Sequence, residues 1–442
     1  MSLLPPSVAA LSPQASWPEH RTARVVVTVR GPDGGVLADT DVVVEQVRHA
    51  VALGGIGFDV VDWLDEGDED PDRPGGGAPR ELGPHLAELF CDLWDTATLP
   101  FYWGAFEPGR GAPATARIER AARWFAARGV RLKGHPLVWH TATADWLREL
   151  PTDELEDAVL GRVRREVAGF AGLVDTWDVV NEAVIMPVFT NEERTNGITR
   201  LCRERGRLDL LRRAFDEARA ANPRAVLLLN DFDMSVAYEH LLEEVLEAGL
   251  PVDAIGLQSH MHQGYWGEGR TRSVLDRFAR FGLPLHMTET TLLSGDLMPP
   301  EVEDLNDHQV ESWPSTPEGE ARQAEEVVRH YRALLDHPSV AAVTYWGLSD
   351  AGAWLGAPVG LVRADGEPKP SYGALRELLR GEWWLAPTEV RTDHEGRVVV
   401  QAPLGDHRVR AGGAQAPLVL GAPGAGAATV RLGPSAPARG DR

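Results

Sequence analysis

Two glutamates stand where short apolar runs end. Thr176-Trp177-Asp178-Val179-Val180-Asn181-Glu182 carries residues that favour a strand, then closes on an amide and a carboxyl group. Leu285-His286-Met287-Thr288-Glu289 is again a short apolar strand pattern closing on a glutamate. In parallel β/α barrels, the side chains that do chemistry project from strand ends of this kind. Two carboxyl groups gathered there can divide the work. One gives and later takes a proton while the other attacks or activates water, which is the equipment of glycoside hydrolysis. A lone strand-end glutamate is more often solvated or ion-paired, so the pairing carries the argument.

The elements that must position this pair follow from periodicity. Candidate strands lie near 51–58, 99–104, 131–138, 174–181, 225–230, 253–258, 283–289 and 340–347, separated by amphipathic helical patterns. Ile118, Ala121, Ala122 and Phe125 share one helical face that ends at Gly129, a residue suited to a left-handed cap. Leu155, Val159, Val163 and Val167 recur every four residues after Thr152-Asp153, which reads as a cap. Eight such alternations predict an α/β chain folded as a (β/α)8 TIM barrel. The competing open doubly wound sheet carries a G-x-G-x-x-G turn opening a helix, and none is present.

Outside the barrel the pattern is β. Residues 24–30 and 41–47, separated by Gly31-Pro32-Asp33-Gly34-Gly35, read as a hairpin. After residue 381, runs at 388–391 and 397–401 precede a tail rich in Gly, Ala and Pro. The expected division is an N-terminal β segment at 17–50, a catalytic barrel at 51–381 and a C-terminal β segment and tail at 382–442. Neither terminal piece can bury a core alone. They are expected to pair into one small β-rich accessory unit, the alternative being separate edge decorations. Glu66 to Pro84, acidic and laden with Pro and Gly, reads as a mobile surface insertion.

With 442 residues and 43% hydrophobic content, the chain can bury a full-sized core. A net charge of −22 opposes nucleic-acid and anionic-membrane partners. The 14 tryptophans exceed what core packing needs and favour stacking on sugar rings, so the expected partner is a carbohydrate substrate. Cys91 and Cys202 read as free thiols. Met1 to Trp17 shows no positively charged, apolar leader pattern, and no run approaches the roughly 20 apolar residues of a spanning helix. The expectation is a cytoplasmic protein; oligomeric state is left open. His260 and His262 make an H-x-H spacing, yet no carboxylate or cysteine nearby in sequence completes a ligand set, so neither metal nor cofactor is expected.

Several stretches taken together resemble the family-ten glycoside hydrolases, the retaining xylanase family, from about 86 to 378. These are Lys133-Gly134-His135-Pro136-Leu137-Val138-Trp139-His140, Trp177 to Glu182, Leu257-Gln258-Ser259-His260, Met287-Thr288-Glu289, Tyr345-Trp346-Gly347 with Asp350 and Trp354, and Pro368-Lys369-Pro370-Ser371-Tyr372. The resemblance implies Glu182 as acid/base and Glu289 as nucleophile. It places Asn181 on the sugar 2-hydroxyl and His260 on the nucleophile, with Gln258 beside it. His135, Trp139, Trp346 and Trp354 would line the reacting sugar. The implied activity is double-displacement cleavage of β-1,4-xylosidic or related β-glycosidic bonds. A β-glycosidase of plant natural-product glycosides and a non-catalytic carbohydrate-binding barrel are the alternatives.

The chain departs from that pattern in two places. Where the family's second strand carries Glu-Asn-x-x-Lys before a tryptophan, this chain has Thr98-Leu99-Pro100-Phe101-Tyr102-Trp103, and the glutamine expected after Trp139 is Ala142. The −2 subsite should therefore be poor, with Leu99, Phe101 and Tyr102 forming an apolar wall. Residues 291–319, Pro-rich and bearing Trp313, are expected to lid the cleft and favour short or aglycone-bearing substrates, the alternative being a surface excursion.

Overall fold

The computed structural model describes residues 10–11, 17–65, 78–190 and 196–434. Two compact units emerge, one of 52–374 and one combining 1–51 with 375–442. In the larger unit eight parallel strands close into a barrel. They are β1 (Ala52–Ile56), β2 (Thr96–Pro100), β3 (Arg131–His135), β4 (Thr176–Asn181), β5 (Val226–Asp231), β6 (Ala254–Met261), β7 (Leu285–Leu292) and β8 (Val340–Tyr345). Each pairs with its sequence neighbours and β8 returns to β1, giving the (β/α)8 architecture. All eight predicted strands are present, but β2 starts and ends earlier than the 99–104 pattern. The aromatic run Phe101-Tyr102-Trp103 extended the apolar signal past the real strand end, and Trp103 already opens a short helix.

The wall is built by close approach of glycines to indoles. A Cβ at Gly134 in β3 would lie 2.2 Å from the ring of Trp177 in β4, and one at Gly55 in β1 would lie 2.3 Å from the ring of Trp94. Small residues there let two large rings lie flat against neighbouring strands. The strands that carry the two glutamates are also irregular. Register shifts fall between Asp178 and Val180 in β4 and between Met287 and Glu289 in β7, and bulges of this kind re-aim side chains.

The terminal unit corrects the hairpin expectation. Thr22–Arg30 and Asp41–His49 do not pair; each enters a different sheet. The first lies between Arg397–Pro403 and Gly424–Arg431, the second between Thr388–Arg391 and Gly405–Ala411. The glycine turn forms, but it closes on an Arg30–Val36 bridge and on the Leu37 N–H donating to the Val29 carbonyl at 2.9 Å, not on the second strand. Each valine-rich strand has one apolar stripe, and an isolated ribbon cannot bury two such stripes. They are buried instead among Val25, Val27, Val42, Val44, Val398 and Val409 of one core. Segments from both ends of the chain therefore make the accessory β unit. The helix 152–169 is a smaller correction, because Pro151 is its cap residue and the Thr152 hydroxyl bonds Glu204 instead. Of the acidic insertion, 66–77 lies outside the described residues, and Arg80–Leu82 and Gly83–Leu93 are helical. Cys202 is a free, buried thiol. Among the described residues, no helix is long and apolar enough to cross a membrane.

Candidate active site

Glu182 leaves the end of β4 in a left-handed backbone conformation, φ 57°, unusual for a residue with a side chain. Its N–H donates to the Asn230 carbonyl at 2.7 Å, and two residues on the Val184 N–H donates to the Asp231 carboxyl at 3.0 Å. These bonds from β5 hold the turn and aim the carboxyl inward. There it accepts the indole N–H of Trp139 at 2.8 Å, the amide of Asn181 at 3.2 Å and that of Gln258 at 3.3 Å. His140 Nε2 stands 3.6 Å from the same carboxyl group. Burial raises the Glu182 pKa to about 8. The bonds from Trp139 and Gln258 oppose that rise, while the charges of Glu289 and Asp231 add to it.

Glu289 has the opposite bias. Burial by itself raises its pKa, but the nearby His135 and the hydrogen bond and charge of His260 outweigh it, and the group is held below the usual carboxylate range. His260 Nε2 lies 3.1 Å from one oxygen; the other accepts the Asn230 amide at 2.9 Å, with His135 Nε2 at 4.0 Å. Asn230 also donates to the Asn181 oxygen at 2.7 Å, and Gln258 donates to that oxygen at 3.2 Å. A continuous amide network thus joins the two carboxyl groups. Behind His135, Asp178 accepts its Nδ1–H at 2.7 Å and pairs with Lys133 at 2.7 Å, which fixes the ring.

The expected site residues Glu182, Glu289, Asn181, His135, Trp139, Gln258, His260, Trp346 and Trp354 gather at this one end of the barrel. Trp346 lies 5.0 Å from His135, and Trp354 5.0 Å from His260. Sequence reasoning missed Asn230, although its run Leu227-Leu228-Leu229-Asn230-Asp231 ends on polar residues as β4 does. It also missed Phe58, which packs on Tyr102 and Trp346. Arg162 is a third omission. Its buried guanidinium bonds the carbonyls of Phe101, Pro136 and Leu137, tying together the exits of β2 and β3 that carry Tyr102 and Trp139.

The apolar wall is corrected. Leu99 has no exposed surface, and Phe101 packs behind the barrel wall against Phe106, Phe170 and Trp177. Only Tyr102 faces the site, 5.6 Å from His135 and 5.8 Å from Trp139. Of the segment 291–319, the first two residues still belong to β7, and Trp313 packs 6.2 Å from His262.

Residues 99–378 match the model of glycosyl hydrolase family 10. Endo-1,4-beta-xylanase B of Thermotoga neapolitana is 28% identical over 297 residues, 63% of this chain and 78% of that protein. Endo-1,4-beta-xylanase B of Paenibacillus barcinonensis is 30% identical over 253 residues, 52% of this chain and 69% of that protein. The barrel also superposes on a family-10 structure from Paenibacillus barcinonensis with a TM-score of 0.59 at 24% identity, covering 75% of this chain and 95% of that one. Xylanase 10B of Thermotoga petrophila RKU-1, solved with xylobiose, gives a TM-score of 0.57 at 24% identity, covering 75% and 94%. The chain belongs to glycosyl hydrolase family 10 and is a glycoside hydrolase.

Proposed function

We propose that this protein cleaves β-1,4-xylosidic bonds with retention of configuration, Glu182 serving as acid/base and Glu289 as nucleophile. The observation that carries the reading is the opposed bias of two networked carboxyl groups, Glu182 held protonated and Glu289 held ionised. Glu289 attacks the anomeric carbon as Glu182 passes its proton to the departing oxygen, leaving a glycosyl ester on Glu289. Esterification removes the Glu289 charge that helps to raise the Glu182 pKa, so Glu182 becomes able to deprotonate the incoming water. Water attack then frees Glu289 and returns the proton to Glu182. Asn181 already spends its oxygen on Asn230 and Gln258 and one amide hydrogen on Glu182. Its second amide hydrogen remains for the sugar 2-hydroxyl.

The xylanase names of the relatives and the intact pair both support this assignment. The carboxyl network also weighs against a barrel that only binds sugar, since binding alone needs no such division of protonation. The test is turnover of aryl β-xyloside and xylobiose, with product anomers followed by NMR. Retention supports the reading; inversion, or no turnover, contradicts it.

A further inference from the structure

The segment from 293 to 316 is built into the mouth of the barrel. Its ends are joined by a Gly295–Ser315 bridge and by the Thr316 N–H donating to the Ser294 carbonyl at 2.9 Å. Its middle is tied to the loop after β6. The Met298 N–H donates to the His262 carbonyl at 2.9 Å, and the Gln263 amide donates to the carbonyls of Pro299 and Val302 at 3.0 and 2.8 Å. Trp313 donates its indole N–H to the Asp296 carbonyl at 2.8 Å, which uses its one polar atom and fixes the ring. The rings then run outward from the nucleophile's partner. His260 lies 5.0 Å from Trp354, Trp354 5.3 Å from His262, His262 6.2 Å from Trp313, and Trp313 4.6 Å from His308.

Apolar surface is left open beside this row: Trp354 is 37% exposed, and Leu297, whose side chain reaches Gly264 in the loop after His262, is 42% exposed. Apolar side chains held open on a tethered segment next to the catalytic groups offer a binding surface. Continuity with His260, which bonds Glu289, makes the substrate itself the occupant. The segment carries Asp296, Glu301, Glu303, Asp304, Asp307 and Glu311 and no lysine or arginine, so the occupant is not an anion.

We propose that Trp313 and Leu297, with Trp354, form a subsite for a non-anionic apolar group attached to the glycoside, either as its aglycone or as an acyl substituent on the sugar. This rests on the glycosidase reading above and deepens it. The test compares kcat/KM for butyl and octyl β-xyloside, whose leaving oxygens are alike, and for xylotriose with and without an aromatic acyl ester. Octyl over butyl should gain about tenfold or more if the aglycone is the occupant, because four further methylenes meet apolar surface. A comparable gain confined to the ester pair assigns the substituent. In Trp313→Ala the gain should fall to near unity. Because that ring also anchors its segment, Leu297→Asp serves as a second variant that places a charge at an exposed position, and it should reduce the gain as well. Xylobiose turnover without a gain in either pair, or a gain undiminished in both variants, overturns the proposal. Absence of turnover on every substrate removes the glycosidase reading, and this inference with it.

Discussion

Trp139 donates its indole N–H to the Glu182 carboxyl at 2.8 Å. That bond favours the ionised form, against a burial that holds the pKa at about 8. The reaction needs Glu182 protonated at the outset, so kcat/KM should fall as pH rises through about 8. It should also fall on the acid side as Glu289 gains its proton, below the usual carboxylate range. Trp139→Phe removes a donor to the charged form, so the alkaline limb should move upward. With the ionised base less well stabilised, kcat should drop about tenfold or more. A pH–rate profile of the variant checks both the sign and the loss.

Asp231 acts in the opposite sense, its charge helping to raise the Glu182 pKa. Burial raises the Asp231 pKa itself to about 7, so near pH 8 it is largely ionised. Asp231→Asn keeps an acceptor for the Val184 N–H and removes the charge. The alkaline limb should move downward, and a limb that stayed fixed would show that Asp231 serves only to hold the turn.

Tyr102 is the one aromatic of the altered second-strand exit that faces the site, standing beside His135 and Trp139. A phenol in place of the family's charged and amide donors leaves a second sugar weakly held, at about 0.5–1.5 kcal/mol for each missing bond. We expect kcat/KM to change little from xylobiose to xylohexaose and Tyr102→Lys to steepen the dependence. Leu99, without exposed surface, is no target for the same purpose. Kinetics across the oligosaccharide series provide the check.

Gly134→Ala tests the barrel wall. The added carbon would lie 2.2 Å from the Trp177 ring, and forced repacking of a tight core costs about 1–3 kcal/mol. The urea midpoint should fall accordingly.

How much of this was legible in the sequence depended on how local the signal was. Glu182 and Glu289 were legible because a strand end is a local pattern, and neighbouring strands then bring such ends to one face, whereas His260 was legible only through the family resemblance. Asn230 ends its strand as they do, but its role is set by Glu289 and Asn181, both distant in sequence, and no spacing rule reports that. The hairpin failed for a related reason. Alternating valines give a strand its buried face but do not choose its partner, and the sheets were completed by residues more than 360 positions onward, such as Thr28 with Arg397 and Val44 with Val409. Phe101 shows a third limit, since hydrophobicity alone did not separate the outside of the barrel wall from its mouth.

The most direct test of the account is to supply azide to the two alanine variants with an activated aryl β-xyloside. In Glu289→Ala azide can take the nucleophile's place, and the product should be the glycosyl azide of inverted configuration. In Glu182→Ala the Glu289 ester still forms and azide attacks it, so the azide product should retain configuration. Exchanged stereochemistry, or either variant retaining full activity without azide, would contradict the assignment of Glu289 as nucleophile and Glu182 as acid/base.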